Sequence, residues 1–181
     1  MTLLPLLYLR EICQQDEEHF IQTMKKSHDF HQPFTTAPQT KEAFHTYFLR
    51  SQQDNQKSYL VLNQSNHIVG VFNINEIVRG FFQSGYLGYY ASIDYAGKGL
   101  MSQGLKLVLQ EIFTKLKLHR VEANIQPNNM SSIQLVTRNG FSKEGFSPRY
   151  LKINGLWSDH VRYALTYEDW ASKRGETAGL F

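Results

Sequence analysis

Tyr86-Leu87-Gly88-Tyr89-Tyr90-Ala91-Ser92-Ile93, then Asp94-Tyr95-Ala96-Gly97-Lys98-Gly99, then Leu100-Met101-Ser102-Gln103-Gly104-Leu105: this run decides the fold. Its first part is aromatic and apolar, the composition of a strand. Its last part opens a helix over roughly Met101 to Leu116, where Met101, Leu105, Val108, Leu109, Ile112, Phe113 and Leu116 recur at the helical period. Gly104 inside that helix costs about 1 kcal/mol against Ala and is tolerated where something must approach closely. Between strand and helix, Gly97 and Gly99 let backbone N–H groups converge without side chains in the way. The helix start adds free N–H groups and roughly half a positive charge. Together they suit a pyrophosphate, with Lys98 adding charge at the rim. A plain tight turn fits the same residues, so the turn alone names no ligand.

Spacing excludes two other phosphate loops. A dinucleotide fingerprint needs a third glycine where Ser102 stands, and a Walker loop needs Ser or Thr after Gly-Lys, where Gly99 stands.

Outward from the run, Leu6–Ile12 has the pattern of a strand, and Gln15–Lys26 that of a helix with Phe20, Ile21 and Met24 on one side. Pro33 and Pro38 break the stretch from Ser27 to Thr40. Thr40 can cap a second helix carrying Ala43, Phe44, Tyr47 and Phe48. Strands follow at Ser58–Asn63 and Ile68–Val78, joined by a turn at Asn66-His67, and then at Tyr86–Ile93. Beyond the long helix come a strand at His119–Ile125, a helix at Asn129–Arg138 stopped by Asn139-Gly140, and strands at Tyr150–Ile153 and Trp157–Thr166 around the hairpin signal Asn154-Gly155. The order β–α–α–β–β–β–α–β–α–β–β predicts an α/β, or α+β three-layer, domain. No linker splits it, so residues 1–170 form one domain and 171–181 a polar tail.

The 181 residues carry 19 Lys and Arg against 16 Asp and Glu, a net charge of +3 with histidines neutral. These charges are scattered and form no basic stripe, so no direct nucleic-acid partner is expected. No apolar run approaches the roughly 20 residues that cross a bilayer, so no membrane partner is expected. The apolar stretch Leu3–Leu9 lacks a preceding basic region and a cleavage site, and resembles a strand rather than a signal peptide. Cys13 is the only cysteine. A disulfide framework is excluded, Cys13 is expected to pack as an apolar residue, and a cytoplasmic location fits.

The turn resembles the acyl-CoA motif of the GNAT superfamily of N-acetyltransferases, Gln/Arg-x-x-Gly-x-Gly/Ala. Gly99 matches its first glycine, while Ala96 and Met101 stand at the Gln/Arg and second Gly/Ala positions. The wording Gly-Lys-Gly-Leu-Met is similar to the ribosomal-protein-alanine acetyltransferase branch. Asn129-Met130-Ser131-Ser132, opening a helix that closes in Asn139-Gly140-Phe141, looks like the second family motif, in which an Asn holds the pantetheine arm. Asn129 by itself is equally an ordinary N-cap. Asn75–Gly80, Tyr86–Tyr89, His119–Asn124, Tyr150–Gly155 and Trp157–His160 also resemble that branch.

The resemblance implies a GNAT fold, with a mixed, largely antiparallel sheet and helices on both faces. It implies acetyl-CoA as co-substrate, held by Tyr90, Ala91, Ile93, Ala96, Gly97, Lys98, Gly99, Leu100, Met101, Asn129, Ser131 and Ser132. A backbone N–H of Tyr90–Ile93 would meet the oxyanion. It implies direct attack by the N-terminal α-amine, of alanine, of a ribosomal protein. Such an amine, with pKa about 8, is roughly a tenth neutral at pH 7 and asks little of a base. Glu76 is the candidate base, or else a solvated strand-end charge; Asp159 and His160 follow. The tyrosine that many relatives carry two turns into the second-motif helix is replaced by Val136. Tyr150, or a water held by Ser131 or Ser132, would then protonate the leaving thiolate. Phe30, Phe34, Phe81, Phe82, Tyr86 and Trp157 are aromatic candidates for a peptide groove, with Phe34 and Trp157 retained as contacts. Arg79 and Asp159 are also assigned to the substrate, though Arg79 could instead pair with Glu76 and hold it ionised. No metal is expected. A monomer and a homodimer both remain open, as do a small amine (polyamine, amino sugar or antibiotic) as acceptor and a non-catalytic acetyl-CoA-binding module.

Overall fold

The computed structural model describes residues 6–175. One seven-stranded sheet organises them. Its strands are β1 (Leu7–Glu11), β2 (Lys57–Asn63), β3 (Ile68–Val78), β4 (Ser84–Ala91), β5 (Arg120–Ile125), β6 (Ser142–Ile153) and β7 (Leu156–Thr166), in the order β1-β2-β3-β4-β5-β7-β6. All neighbours are antiparallel except β4 and β5.

Alternating side chains of the central strands feed two separate cores. Tyr59 and Val61 of β2, with Phe72 and Ile74 of β3, pack with α4 (Leu100–Gln110) and α5 (Met130–Arg138). Leu60 and Leu62, with Val71, pack on the other face with α1 (Glu17–Lys26) and α3 (Lys41–Ser51). Thr40 caps α3 by accepting the Ala43 N–H. Helices thus cover both faces, the expected three-layer α/β arrangement.

Gly104 has the close neighbour its sequence position implies. A Cβ there would sit 2.9 Å from Val61 and 3.3 Å from Phe72, so α4 lies almost on the sheet. A Cβ at Gly70 would likewise collide with Met101. These two contacts seat α4 on β2 and β3.

Several boundaries differ from the sequence expectation. β4 ends at Ala91, and Ile93–Tyr95 is a 3₁₀ turn. The long helix keeps α geometry only to Gln110, and Glu111–Lys115 widens into a π turn. β6 starts at Ser142, well before Tyr150, because its bulges and Pro148 hide the strand alternation. Two helices were not anticipated: α2 (His28–His31), in the proline-containing stretch, and α6 (Tyr167–Lys173). Trp170 and Ala171 of α6 are buried, so packing carries the fold past residue 170. The remainder of the expected tail, 176–181, and the first residues of the N-terminal apolar stretch lie outside the described residues.

Candidate active site

β4 and β5 pair only at Ser84–Arg120, Gly85–Val121 and Tyr86–Glu122. Beyond Tyr86 the strands diverge, and a cavity of about 770 Å³ opens in the split. The strand ends and the starts of α4 and α5 form one end. The segment after α2, the bulge of β3 and the tip side of β6 form the other.

The first end is built mostly from backbone. Gly97 and Gly99 adopt φ of 71° and 73°, with open space where a Cβ would stand. Gly99 is the N-cap of α4, and its carbonyl accepts the Gln103 N–H, leaving the earlier N–H groups of the helix without intrahelical acceptors. Ala96, Gly97, Gly99, Leu100 and Met101 line the cavity. This cradle, which a side chain would fill, fits a pyrophosphate. Asn129 Oδ1 caps α5 through the Ser132 N–H at 3.2 Å, and Ser131 Oγ donates to the same oxygen at 3.3 Å. Asn129 is therefore an N-cap, and its Nδ2 has no acceptor among the described residues. Asn129, Ser131 and Ser132 all line the cavity.

Three expected cofactor contacts lie elsewhere. Lys98 is folded back, donating to the Asp94 carbonyl at 2.7 Å and lying over the Tyr95 ring, and does not line the cavity. The Ile93 N–H is taken by Ser27 Oγ at 3.1 Å. The Ser92 N–H binds the Val69 carbonyl, so by the alternation of an antiparallel ladder the Tyr90 N–H also points at β3. The Tyr90 side chain packs on the α1/α3 side, where burial raises its pKa. Ala91 is the residue of this group whose N–H and C=O face the split.

His31 fixes Ala91 there. Its Nε2 lies 2.8 Å from the Ala91 carbonyl, and Nδ1 is buried without a partner. Burial lowers its pKa, opposed by the Ala91 bond, so the ring is neutral at pH 7 with its proton on Nε2. No motif surrounds His31, and only the folding of α2 against β4 exposes its role.

At the other end Glu76 sits in the β3 bulge between Asn75 and Val78, with φ of 49°. A glutamate in this conformation costs roughly 1 kcal/mol or more. The bulge is held by the Ile77 N–H on the Asn55 carbonyl at 2.8 Å. Glu76 is exposed, lines the cavity and has no hydrogen bond or ion pair among the described residues. Arg79 is not its partner: Arg79 Nη1 donates to the Leu116 carbonyl at 2.6 Å, away from the cavity.

Tyr150 lines the cavity beside Tyr86, whose pKa is raised by burial and then by Glu122. Asp159 does not reach the cavity. Its Oδ1 accepts the Arg149 N–H at 2.7 Å and holds the β6 bulge that presents Tyr150, so it positions rather than touches. Asp159 and His160 are not a pair. His160, 2 % exposed, lines the cavity and donates from Nδ1 to the Ser158 carbonyl at 2.9 Å. Phe34, Phe30 and Tyr86 form cavity wall, whereas Trp157, Phe81 and Phe82 are exposed outside it.

Val136 is fully buried in the core. Hydroxyls lining the cavity include those of Ser131, Ser132, Tyr89 and Tyr150. Burial pushes Tyr89 up to about 12, and its hydroxyl is buried against Ser132 without a well-formed hydrogen bond.

A sheet that splits after one short parallel pairing, with a backbone cradle at one end and an exposed carboxylate at the other, fits an acyl-carrier-dependent transferase. The family model described as Acetyltransferase (GNAT) domain matches residues 7–142, and the chain belongs to the GNAT acetyltransferases. It is 29% identical over 172 residues to the Probable N-acetyltransferase YjcK of Bacillus subtilis (strain 168), covering 90% of this chain and 95% of that protein. It is 43% identical to the [Ribosomal protein uS5]-alanine N-acetyltransferase of Escherichia coli (strain K12) over 107 residues, covering 59% of this chain and 55% of that enzyme. The crystal structure of the ribosomal-protein-S5-alanine acetyltransferase from Vibrio fischeri superposes with a TM-score of 0.81 at 25% identity, covering 91% of this chain and 94% of that one.

Proposed function

We propose that this chain acetylates the N-terminal α-amine, of alanine, of a ribosomal protein in the cytoplasm. The observation that carries this reading is the charge of the acceptor end: Glu76 is the single carboxylate among the described residues that line the cavity. One carboxylate complements one ammonium group. A polyamine, with several cations, calls for several. The uS5-alanine relative supports the same acceptor class.

Bound acetyl-CoA supplies the activated acetyl group. Glu76, unpaired at the mouth, takes the amine proton directly or through water; with an acceptor pKa of about 8, that task is small. The Ala91 N–H, oriented through His31, donates toward the developing oxyanion. Tyr150, Ser131 and Ser132 are the hydroxyls available to the leaving thiolate. That group is stable enough, by analogy with a cysteine pKa of about 8.5, to need only a hydrogen bond.

The test is mass spectrometry after incubation with acetyl-CoA and two peptides, both starting with alanine and containing an internal lysine, one with its α-amine blocked. One acetyl on the free peptide only is expected. Transfer to neither, with acetyl-CoA still bound, would hand the site to a small amine or to a non-catalytic module.

A further inference from the structure

The β6–β7 tip is a two-residue turn in which Asn154 and Gly155 have φ of 49° and 85°, a backbone that Asn-Gly adopts at little cost. The turn needs nothing from the Asn154 amide, yet that amide reaches across to residues 32–36 beside the cavity. Nδ2 donates to Gln32 Oε1 at 3.2 Å and to the Pro33 carbonyl at 3.2 Å, while Oδ1 accepts from Thr36 Oγ1 at 2.9 Å. Both donors and an acceptor are thus directed at one short segment distant in sequence.

The residues beside this bridge are cavity wall. Phe34 and Thr35 lie between its anchor points on one side, and Tyr150, Leu151 and Ile153 precede Asn154 on the other. Gln126 Nε2 reaches the Phe34 carbonyl at 3.4 Å and ties the same segment to the end of β5. Among the described residues, no other hydrogen bond joins this segment to the β6–β7 hairpin.

We infer that Asn154 is a specificity-determining residue that fixes the width of the acceptor mouth and so limits the size of the acceptor's first side chain. This rests on the N-terminal acceptor proposed above. The bridge does not touch the reacting atoms. It holds Phe34 opposite Leu151 and Ile153, so a small first residue such as alanine enters while leucine or phenylalanine must push the walls apart.

The variant that separates turn from bridge is Asn154→Gly, since glycine keeps the positive φ and removes the amide. Asn154→Asp retains the Thr36 acceptor and loses both donors. Peptides that differ only in a first residue of Ala or Leu are compared by kcat/KM, and backbone hydrogen exchange is followed over residues 30–36. In Asn154→Gly the Ala-over-Leu preference is expected to fall about tenfold, through the Leu peptide's KM, with faster exchange in 30–36 and unchanged acetyl-CoA affinity. Asn154→Asp should fall between. An unchanged preference, with or without faster exchange, overturns the filter. If the wild type acetylates neither peptide, the N-terminal reading fails first, and the filter with it. An active wild type with an indifferent Asn154→Gly removes the filter alone.

Discussion

The two ends of the cavity are made differently. The end proposed for acetyl-CoA is main chain: two left-handed glycines, the N-termini of α4 and α5, and the unpaired edge of β4. The end proposed for the acceptor is side chains brought from α2, β3, β6 and β7, held by a bulge at Glu76, a second bulge pinned by Asp159, and the Asn154 bridge. Backbone donors need only local conformation, so one short segment can encode them. A side-chain constellation needs the whole sheet to be in register. The first end suits a co-substrate that does not vary. The second can be re-cut for another acceptor without disturbing the first.

The sharpest way to break this contrast is Gly99→Val. A β-branched residue at φ 73° is strained, and its side chain would occupy the open cradle. Acetyl-CoA affinity should drop at least about 100-fold by calorimetry; wild-type affinity would mean that the cradle is not where the pyrophosphate sits.

Glu76→Gln probes the other end. Turnover on an alanine peptide should fall on the order of 100-fold at pH 7, with acetyl-CoA affinity intact. The deficit should shrink above pH 8 to 9, where the peptide amine deprotonates unaided. A deficit that does not change with pH would leave Glu76 a binding residue and move the base, with His160 next in line.

The smallest effect joins the two ends. His31 titrates below its ordinary value because it is buried, although the Ala91 bond opposes this. Just below pH 6.5 the unfolded chain therefore binds more protons than the folded one, and stability is lost as pH falls toward the folded-state value. Against His31→Gln, which keeps a donor for Ala91, wild-type stability in urea should decline between pH 7 and 5.5 by no more than about 1.4 kcal/mol per pH unit. Parallel stability curves for the two proteins would show that His31 binds protons alike in the folded and unfolded chains, without the lowering that burial implies.

Much of the sheet was legible. The limits of β3, the cap at Thr40 and the helix packed on Gly104 all follow from periodicity, capping chemistry and a missing Cβ. The glycine turn and the Asn129 cap were legible for the same reason: each is a local conformation with its own residue signature. α2 was not, because a single helical turn followed by Pro33 carries no periodicity. Arg79 was misplaced because adjacency to Glu76 in sequence says nothing across a bulge; its partner is the Leu116 carbonyl. Asp159 was placed on substrate when its task is to hold the Arg149 N–H.

By itself, the sequence determined the layers, the glycine turn and the family, since these rest on side-chain period, backbone freedom and helix ends, all written within a few residues. Tertiary structure decided which N–H of β4 faces the split, that His31 binds the Ala91 carbonyl, and that Asn154 bridges to Gln32, Pro33 and Thr36. Each of those depends on groups far apart in the chain, and only packing at a fixed register brings them within hydrogen-bonding distance.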